Sequence, residues 1–470
     1  MTAPPAGPAP TTLGRLRATG HVHRSVKAEV RANLLAALAS GETAFPGLVG
    51  YDDTVLPEVE RALLAGHDLV LLGERGQGKT RLIRTLVRLL DEWTPVITGC
   101  EINDHPYAPA CVRCRRLVAE AGDETPVSWL HRSSRYGEKL ATPDTSVGDL
   151  IGDVDPIKVA EGRTLGDPET VHYGLVPRTN RGIFSVNELP DLAERIQVAL
   201  LNVLEERDIQ VRGYALRLPL DLLLVASANP EDYTNRGRII TPLKDRFGAE
   251  VRTHYPVELA DEIGLVRQEA QLSYDDLPVL VPDHLVEVIA RWTRLVRDAP
   301  QVDQRSGVSA RFAVAATETL AASAVRRAAV TGDPEAVARV DDLPCVVPAA
   351  RGKVEFESAE EGRELEVLAH LLRKATADTF RARLAGLDLS GVQGLFDEGG
   401  VLETGDLVPA AQILADLGAV PGLAQLLQRL GVEQESPGLA AAALVFALEG
   451  LHLNRRLAKE TVGSRTVYGR

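Results

Sequence analysis

The chain has 470 residues, of which 45% are hydrophobic and only 4% aromatic, and its formal net charge is -14 at pH 7. This length accommodates two or three domains, and cores filled mainly by aliphatic side chains are typical of a soluble, helix-rich protein. The negative charge disfavours a general nucleic-acid coat, because phosphate binding requires a basic surface. No membrane span is expected, since the apolar run from Leu439 to Leu448 is far shorter than the roughly 20 residues required.

The N-terminal region predicts a tail followed by a helix. The opening MTAPPAGPAPTT lacks the basic start and apolar core of a secretion signal, and its composition predicts a disordered tail. Residues 24–40 carry apolar side chains at helical spacing, so residues 1–44 are assigned to the tail and a leading helix. We expect the protein to stay in the cytoplasm, where its four cysteines would remain reduced.

From Asp68 onward, short apolar runs alternate with helical segments, which predicts an α/β doubly wound domain with a parallel sheet. The runs expected to form buried strands are DLVLL (68–72), PVIT (95–98), GIFSV (182–186) and LLLVASA (222–228). We assign this domain to residues 45–256, with a long insert at 99–180. Beyond it, helical periodicity predicts a lid at 257–357 and a helical C-terminal region at 358–470.

The segment GERGQGKT (73–80) fits the phosphate-binding pattern G-x-x-x-x-G-K-[ST], and it lies between a predicted strand and a predicted helix. Gly73, Gly76 and Gly78 allow backbone N–H groups to close around phosphate oxygens at the start of a helix. Lys79 can reach the β- and γ-phosphates, and Thr80 can ligate magnesium. The motif therefore predicts a site for ATP and Mg²⁺.

Polar residues follow two further predicted strands. GIFSV ends in Asn187-Glu188, where phosphate-binding-loop proteins usually carry one carboxylate for magnesium and a second that orients the attacking water. Glu188 suits the second role, while Asn187 replaces the usual Asp and contributes no charge. Asn229 follows LLLVASA and can contact the γ-phosphate or water. The alternative for Glu188 is a surface glutamate that follows a core strand. The alternative for Asn229 is an Asx-Pro turn.

An arginine precedes the last predicted strand of this domain. TPLKDRFGAEV places Arg246 next to Asp245, just before that strand. An arginine in this position can act in trans on the γ-phosphate of a neighbouring subunit. A surface ion pair with Asp245 is the alternative.

Three cysteines and a histidine cluster in the insert. Cys100, His105, Cys111 and Cys114 follow the pattern C-x4-H-x5-C-x2-C, whose C-x2-C end is a recognised zinc half-site. Four such ligands could close one tetrahedral structural site for Zn²⁺. Free buried thiols or redox chemistry are the alternatives.

The second half of the insert is polar, acidic and punctuated by glycines. Residues 135–162 suit loops or hairpins that project toward a pore or a substrate, and a decorative surface insertion is the alternative. Lys139, Arg163 and His172 are exposed candidates there without a sharper assignment.

The order of these segments resembles a known family. GERGQGKT, the long insert, RTNRGIFSVNELPDL, SANPED and PLKDRFG together are similar to the AAA+ ATPases of the magnesium-chelatase and MoxR-like group. The resemblance covers roughly Phe45 to Leu343. FPGLVGYDD (45–53) resembles the entry segment that lies near the adenine in that group.

The resemblance implies roles for individual residues and a mode of action. Glu188 corresponds to the Walker B glutamate, Asn229 to the sensor-1 asparagine and Arg246 to the arginine finger, and Arg311 in SGVSARF resembles the sensor-2 arginine. A solvated helix arginine is the alternative for Arg311. The family implies a homo-oligomeric ring, commonly a hexamer, that remodels a protein partner, often one with a von Willebrand factor A domain.

Two other functions fit the same residues. Because Asn187 contributes no charge, the chain could be a nucleotide-gated scaffold that hydrolyses ATP slowly or not at all. A DNA-associated transcription ATPase is disfavoured by the acidic charge and by the lack of a recognisable helix-turn-helix, so a nucleic-acid partner is not expected.

Overall fold

The computed structural model describes residues 7–9, 11–154, 157, 160, 170–206, 209–211, 214–216, 218–230, 238–273, 279–304, 306–397, 399–417, 420–432, 436–463 and 465–469. The chain divides into two compact units, Met1–His254 and Tyr255–Arg470. Among the described residues no helix is both long enough and apolar enough to span a bilayer.

The first unit combines strands and helices along the chain. Its strands are β1 (Thr11–Thr12), β2 (Leu69–Leu72), β3 (Trp93–Ile97), β4 (Pro126–His131), β5 (Tyr136–Leu140), β6 (Gly152–Val154), β7 (Val171–Tyr173), β8 (Gly182–Asn187), β9 (Ile209–Val211), β10 (Tyr214–Leu216), β11 (Leu222–Ala228) and β12 (Ala249–Arg252). Its α-helices are α1 (Leu13–Ala18), α2 (Val26–Ser40), α3 (Val55–Ala65), α4 (Lys79–Thr85), α5 (Val112–Ala121), α6 (Val147–Leu150), α7 (Leu175–Arg178), α8 (Glu194–Glu206) and α9 (Thr241–Arg246).

The central sheet of the first unit has five strands in the order β12-β2-β11-β8-β5, and every pair in it is parallel. All residues of β2, β8 and β11 are buried, as expected for strands covered on both faces. The prediction of an α/β doubly wound domain is confirmed. Because the strands are parallel, their carboxyl ends meet at one edge, where ligands bind in such sheets.

One predicted strand of this sheet is wrong. PVIT (95–98) falls in β3, which pairs antiparallel with β4 in a separate three-stranded sheet that β1 completes. The fifth strand of the central sheet is instead β5, within the segment predicted to form loops or hairpins at 135–162. As an edge strand β5 buries only part of its surface, and YGEKL is accordingly mixed in polarity.

The N-terminal residues belong partly to this second sheet, which we call the antiparallel module (β1, α1, β3, α5 and β4). The predicted disordered tail is wrong for Thr11–Thr12, which pair with Val127 and Pro126 of β4. Leu13 and Leu16 of α1 pack with Val127 in a small apolar cluster. Residues 1–6 and 10 of the predicted tail lie outside the described part of the chain. The predicted leading helix corresponds to α2.

The second unit is mainly helical and adds short strands. Its helices are α10 (Leu259–Glu269), α11 (Asp283–Arg297), α12 (Ala310–Thr331), α13 (Val346–Arg351), α14 (Glu364–Arg383), α15 (Ser390–Asp397), α16 (Ala410–Leu417), α17 (Leu423–Leu430) and α18 (Pro437–Leu453). Its strands are β13 (Val279–Leu280), β14 (Ala336–Val337), β15 (Leu402–Gly405), β16 (Ala458–Val462) and β17 (Arg465–Gly469), of which the last three form one antiparallel sheet.

The predicted division of this unit at residue 357 does not match its core. Trp292 of α11 and Phe446 of α18 belong to one apolar cluster, although they come from the two regions predicted to be separate. The indole N–H of Trp292 also donates to the Leu368 carbonyl at 3.0 Å across that division. Helix α18 is buried on nearly all sides, as expected for a helix that is apolar all round. The lid and the C-terminal region therefore form one unit.

Candidate nucleotide site

The loop between β2 and α4 has the backbone of a phosphate cradle. Gly76 and Gly78 have φ angles of +76° and +78°, in the left-handed region that favours glycine. A Cβ atom added to Gly73 would lie 2.0 Å from the Thr253 hydroxyl oxygen and 2.2 Å from the Gln77 side-chain oxygen, so only glycine fits there. The loop delivers its backbone N–H groups to the N-terminus of α4, where an anion is favoured.

Lys79 joins this loop to the neighbouring strand β11. Its ammonium donates to the Glu74 carbonyl at 2.7 Å and to Asn229 Oδ1 at 2.9 Å, and it also donates to the Gly73 carbonyl. Asn229 is buried directly after β11. The structure therefore brings together the lysine and the asparagine that the sequence analysis placed in one site. Thr80, the residue assigned to magnesium, follows Lys79 in the first turn of α4 and is half-buried.

The segment that precedes α3 is tied to the same loop. The Tyr51 hydroxyl donates to the Gln77 carbonyl and, at 3.0 Å, to the His254 carbonyl. Burial raises the pKa of Tyr51 to about 12, so the hydroxyl keeps its proton and remains a donor near neutral pH. Gln77 is fixed further by the Thr253 hydroxyl, which donates to its side-chain oxygen at 2.7 Å. FPGLVGYDD thus contacts the loop through Tyr51, a residue whose place in the site was expected only from a family resemblance.

Glu188 directly follows β8 and has a φ angle of 57°, which places a non-glycine residue in the left-handed region. Such a conformation costs roughly 1–3 kcal/mol, so the surrounding structure must hold it in place. Part of that restraint is visible, because the Glu188 backbone N–H donates to the Ser227 hydroxyl at 3.3 Å. Strain of this kind concentrates at functional sites, which agrees with a water-orienting role for this glutamate.

Both polar atoms of the Asn187 side chain, at the end of β8, are hydrogen-bonded. Its Nδ2 donates to Glu138 Oε1 at 2.6 Å, and its Oδ1 accepts from the Ser227 hydroxyl at 3.2 Å. Glu138 also accepts two hydrogen bonds from Arg84 of α4, at 2.9 and 3.1 Å, and one from the Tyr136 hydroxyl at 3.0 Å. Burial would raise the pKa of Glu138, but these donors outweigh burial and hold the pKa below its ordinary value. Glu138 was not among the predicted site residues, because residues 135–162 were expected to form loops or hairpins and not a strand of the central sheet.

The two arginines lie in different units. Arg246 ends α9 and pairs with Glu205 of α8 at 2.7 Å and with Asp245 at 3.4 Å. Its side chain is 44% exposed, and exposed ion pairs contribute little stability, so the guanidinium can be redirected at little cost. Arg311 lies in the first turn of α12 in the second unit and is exposed.

Sequence comparisons identify the relatives of this chain. No family model matches it. It is 28% identical over 211 residues to the magnesium-chelatase subunit ChlI of Anabaena variabilis. That alignment covers 43% of this chain and 57% of the relative. It is also 28% identical over 237 residues to the magnesium-chelatase 38 kDa subunit of Rhodobacter capsulatus. That alignment covers 48% of this chain and 59% of the relative. Over about half of its length the chain is therefore similar in sequence to magnesium-chelatase subunits.

The relationship has a limited extent. The chain spans about half the length of the curated relatives that it matches. A solved structure of subunits BchI and BchD of magnesium chelatase has a TM-score of 0.36 at 22% identity, covering 69% of this chain and 98% of the other. That score is too low to support an argument beyond the one from sequence.

The first unit also contains the antiparallel module, where the three thiols of the insert meet. Ligand atoms of Cys100, Asp104, Cys111 and Cys114 all lie within 4.8 Å of one another, and we call these four residues the thiol cluster. Cys100 and Asp104 follow β3, whereas Cys111 caps α5 and Cys114 lies in its first turn. The three predicted cysteines thus lie together, whereas Asp104 and not the predicted His105 completes the cluster.

His105 contacts residues outside the thiol cluster. Its Nδ1 accepts from the Tyr107 backbone N–H at 3.0 Å, and its Nε2 lies 3.3 Å from Nε2 of His21. The rings of His21 and His105 are stacked, and His23 packs against the same imidazole. Burial, helped by the nearby Arg181, lowers the pKa of His105 to about 2, so it is neutral near pH 7.

The remaining candidates of the insert have ordinary surroundings. Lys139 lies in β5, with its ammonium 3.9 Å from Asp149. His172 is exposed in β7, and its Nε2 lies 3.3 Å from Arg178 Nη2. Arg163 lies outside the described residues.

Proposed function

We propose that this chain is a Mg²⁺-dependent ATPase that couples ATP binding and hydrolysis to remodelling of a protein partner. The observation that carries the proposal is the convergence of Lys79, Asn229 and the strained Glu188 at the carboxyl ends of adjacent parallel strands. Three independent chain segments meet there in the order that the phosphate-binding chemistry requires. The similarity to magnesium-chelatase subunits supports the same reading.

The residues present fit a nucleoside triphosphate with magnesium. The backbone of the loop packs so closely on Thr253 and Gln77 that a Cβ at Gly73 would clash with both, and Lys79 supplies the positive charge for the β- and γ-phosphates. Thr80 and Asn187 offer oxygen atoms for the ion, directly or through water. Magnesium, when bound, supplies neutralisation of charge on the phosphate oxygens. Glu188 would orient the attacking water, with Asn229 beside the γ-phosphate.

We also propose an oligomeric state, a kind of partner and a cellular location for this chain. Arg246 is exposed at the end of α9, so it is suited to reach a neighbouring chain in a homo-oligomeric ring, with a hexamer favoured. As in the MoxR-like group, a von Willebrand factor A domain protein is the kind of partner that the resemblance suggests. The expected location is the cytoplasm, which would keep the thiols of the cluster reduced and able to bind a metal ion. The second candidate, a slowly hydrolysing nucleotide-gated scaffold, draws on the missing charge at Asn187.

We expect Lys79→Ala to weaken ATP binding at least about tenfold, because it removes the ammonium that meets the phosphates and joins the loop to Asn229. Isothermal titration calorimetry with ATP and Mg²⁺ measures the change directly. Lys27→Ala is the matched control, because Lys27 lies on α2 in the same unit and pairs with Asp68 at 2.8 Å. Equal ATP affinity in the Lys79→Ala variant and the native chain would refute the site.

We also propose that the thiol cluster is a structural zinc site with Cys100, Asp104, Cys111 and Cys114 as its ligands. Three thiolates and one carboxylate oxygen form a donor set that Zn²⁺ accepts in tetrahedral sites. Asp104 supports the assignment, because its Oδ2 accepts from the Cys111 N–H at 2.9 Å whereas its buried Oδ1 has no hydrogen-bond partner. A buried carboxylate oxygen without a partner is costly, and a bound cation would satisfy it.

We expect the purified protein to contain about one zinc per chain, and Cys111→Ser/Cys114→Ser to abolish it, since a closed tetrahedral site needs its ligands. Asp104→Asn should lose zinc to a competing chelator at a lower chelator concentration than the native chain does. His105→Asn is the matched control and should retain the metal. Native mass spectrometry after dialysis with chelator gives the readout. Metal-free protein from cells supplied with ample zinc would reject the site, and zinc loss in His105→Asn but not in Asp104→Asn would reject this ligand set.

A further inference from the structure

The end of β8 carries a relay of hydrogen bonds that begins at Glu138 and ends at the backbone of Glu188. Asn187 Nδ2 donates to Glu138 at 2.6 Å, the Ser227 hydroxyl donates to Asn187 Oδ1 at 3.2 Å, and the Glu188 N–H donates to Ser227 at 3.3 Å. Asn187 and Ser227 are both buried, so water does not compete freely for these bonds. The relay connects an edge-strand carboxylate to the strained glutamate.

The direction of every bond in the relay follows from the charge on Glu138. An ionised carboxylate only accepts hydrogen bonds, so Asn187 must present its NH₂ group to Glu138. The Asn187 oxygen is then left to accept the Ser227 proton, which frees the Ser227 oxygen to accept from the Glu188 N–H. If the amide were reversed, its NH₂ group would compete with the Glu188 N–H for the same Ser227 oxygen.

Glu138 is itself fixed as an anion beside the phosphate-binding helix. Arg84 binds both of its oxygens and lies four residues after Thr80, so the two share one face of α4. Tyr136 adds a further donor at 3.0 Å. These donors favour the charged form of Glu138, and they place its charge on the side of α4 that carries the magnesium residue Thr80.

We propose that Glu138 is a positioning residue of the nucleotide site: it supplies the negative charge that residue 187 lacks and, through Asn187 and Ser227, holds the backbone of Glu188 in its left-handed conformation. This inference rests on the proposed ATPase for its catalytic readout. It also explains why residue 187 is an amide. An Asp there would put two carboxylates at the 2.6 Å separation now bridged by an N–H, with no proton donor between them.

The test is a cycle of substitutions at positions 138 and 187. Asn187→Asp restores the residue usual in phosphate-binding-loop ATPases, yet we expect it to lower turnover about tenfold, the scale of coupling between residues in one network. Glu138→Gln/Asn187→Asp should recover to within a few-fold of the native rate, because the Gln amide can donate to the new carboxylate. Glu42→Gln, an exposed glutamate of the same unit, is the control and should change nothing.

A second readout separates this inference from the proposed function. Hydrogen–deuterium exchange of the peptide that contains Glu188 should be faster in Asn187→Asp than in the native chain and return toward the native rate in the double variant. Exchange needs no turnover, so it tests the relay even if the chain proves to be a slow scaffold. If Glu138 only holds β5 against α4 through Arg84, the single variants Glu138→Gln and Asn187→Asp would both have a lower melting temperature, and the double variant would show no rescue. Native or higher turnover and native exchange in Asn187→Asp would overturn the proposal, as would a double variant no better than Asn187→Asp.

Discussion

Arg246→Ala is expected to lower the steady-state ATPase rate by about 10³, the scale of an arginine that stabilises charge on a transferring phosphoryl group. In the structure Arg246 pairs with Glu205 and Asp245 of its own chain through an exposed contact. Because such a pair contributes little stability, the loss of rate should greatly exceed any change in the melting temperature. Arg252→Ala, with an 80% exposed side chain on β12, is the matched control and should retain activity.

Mixing experiments show whether Arg246 acts on another chain. Arg246→Ala keeps an intact phosphate loop, whereas Lys79→Ala keeps an intact arginine, so a mixed interface can combine the two. Mixtures should therefore recover part of the activity that each variant lacks, and native specific activity should rise with protein concentration as chains assemble. A native rate independent of concentration, with no recovery on mixing, would place Arg246 in its own chain's site or only in structure.

Glu188→Gln is expected to lower turnover by about a hundredfold or more while ATP binding is unchanged, because it removes the group that orients and deprotonates water. Gln has nearly the same shape, and the backbone bond from residue 188 to Ser227 does not depend on the side chain. The left-handed backbone should therefore persist. Single-turnover ATPase rates and calorimetric ATP affinity give the two quantities.

The control for this variant is Glu194→Gln, an exposed glutamate at the start of α8. It should leave both turnover and ATP affinity unchanged. Turnover of Glu188→Gln within a few-fold of the native rate would assign the catalytic role to another residue. Weaker ATP binding in that variant would instead show that Glu188 contributes to nucleotide affinity.

The buried strands of the sheet could be predicted because their signal is local. DLVLL, GIFSV and LLLVASA are continuous apolar runs, and they form β2, β8 and β11, which are covered on both faces. The run PVIT looks the same but pairs antiparallel elsewhere, since an apolar run does not reveal the direction of its partner. β5 was not predicted, because an edge strand tolerates polar residues and therefore lacks a continuous apolar run. Its sequence YGEKL carries two charges.

The site residues that could be predicted are likewise those that lie close together in the sequence. The phosphate-binding loop is contiguous in sequence, so its residues could be named directly. Glu138 could not, because its partners Arg84 and Asn187 are each about fifty residues away along the chain. For the thiol cluster, spacing cannot show which of two adjacent side chains faces the thiols. In the structure a left-handed turn at Asn103, with φ of 56°, precedes Asp104, and Asp104 faces the cysteines.

The pairing of β1 with β4 sets an order of events during synthesis. Thr11 and Thr12 leave the ribosome early, but Pro126 and Val127 of β4 follow more than a hundred residues later. At roughly 5–20 residues per second, the first strand waits on the order of ten seconds for its partner. Closing so long a loop is entropically costly, so β3 and β4, which are nearer in sequence, should pair first. β1 is thus expected to join its sheet after β3 and β4 have paired, and until then β4 is protected at that edge by Pro126, which has no N–H to offer another chain.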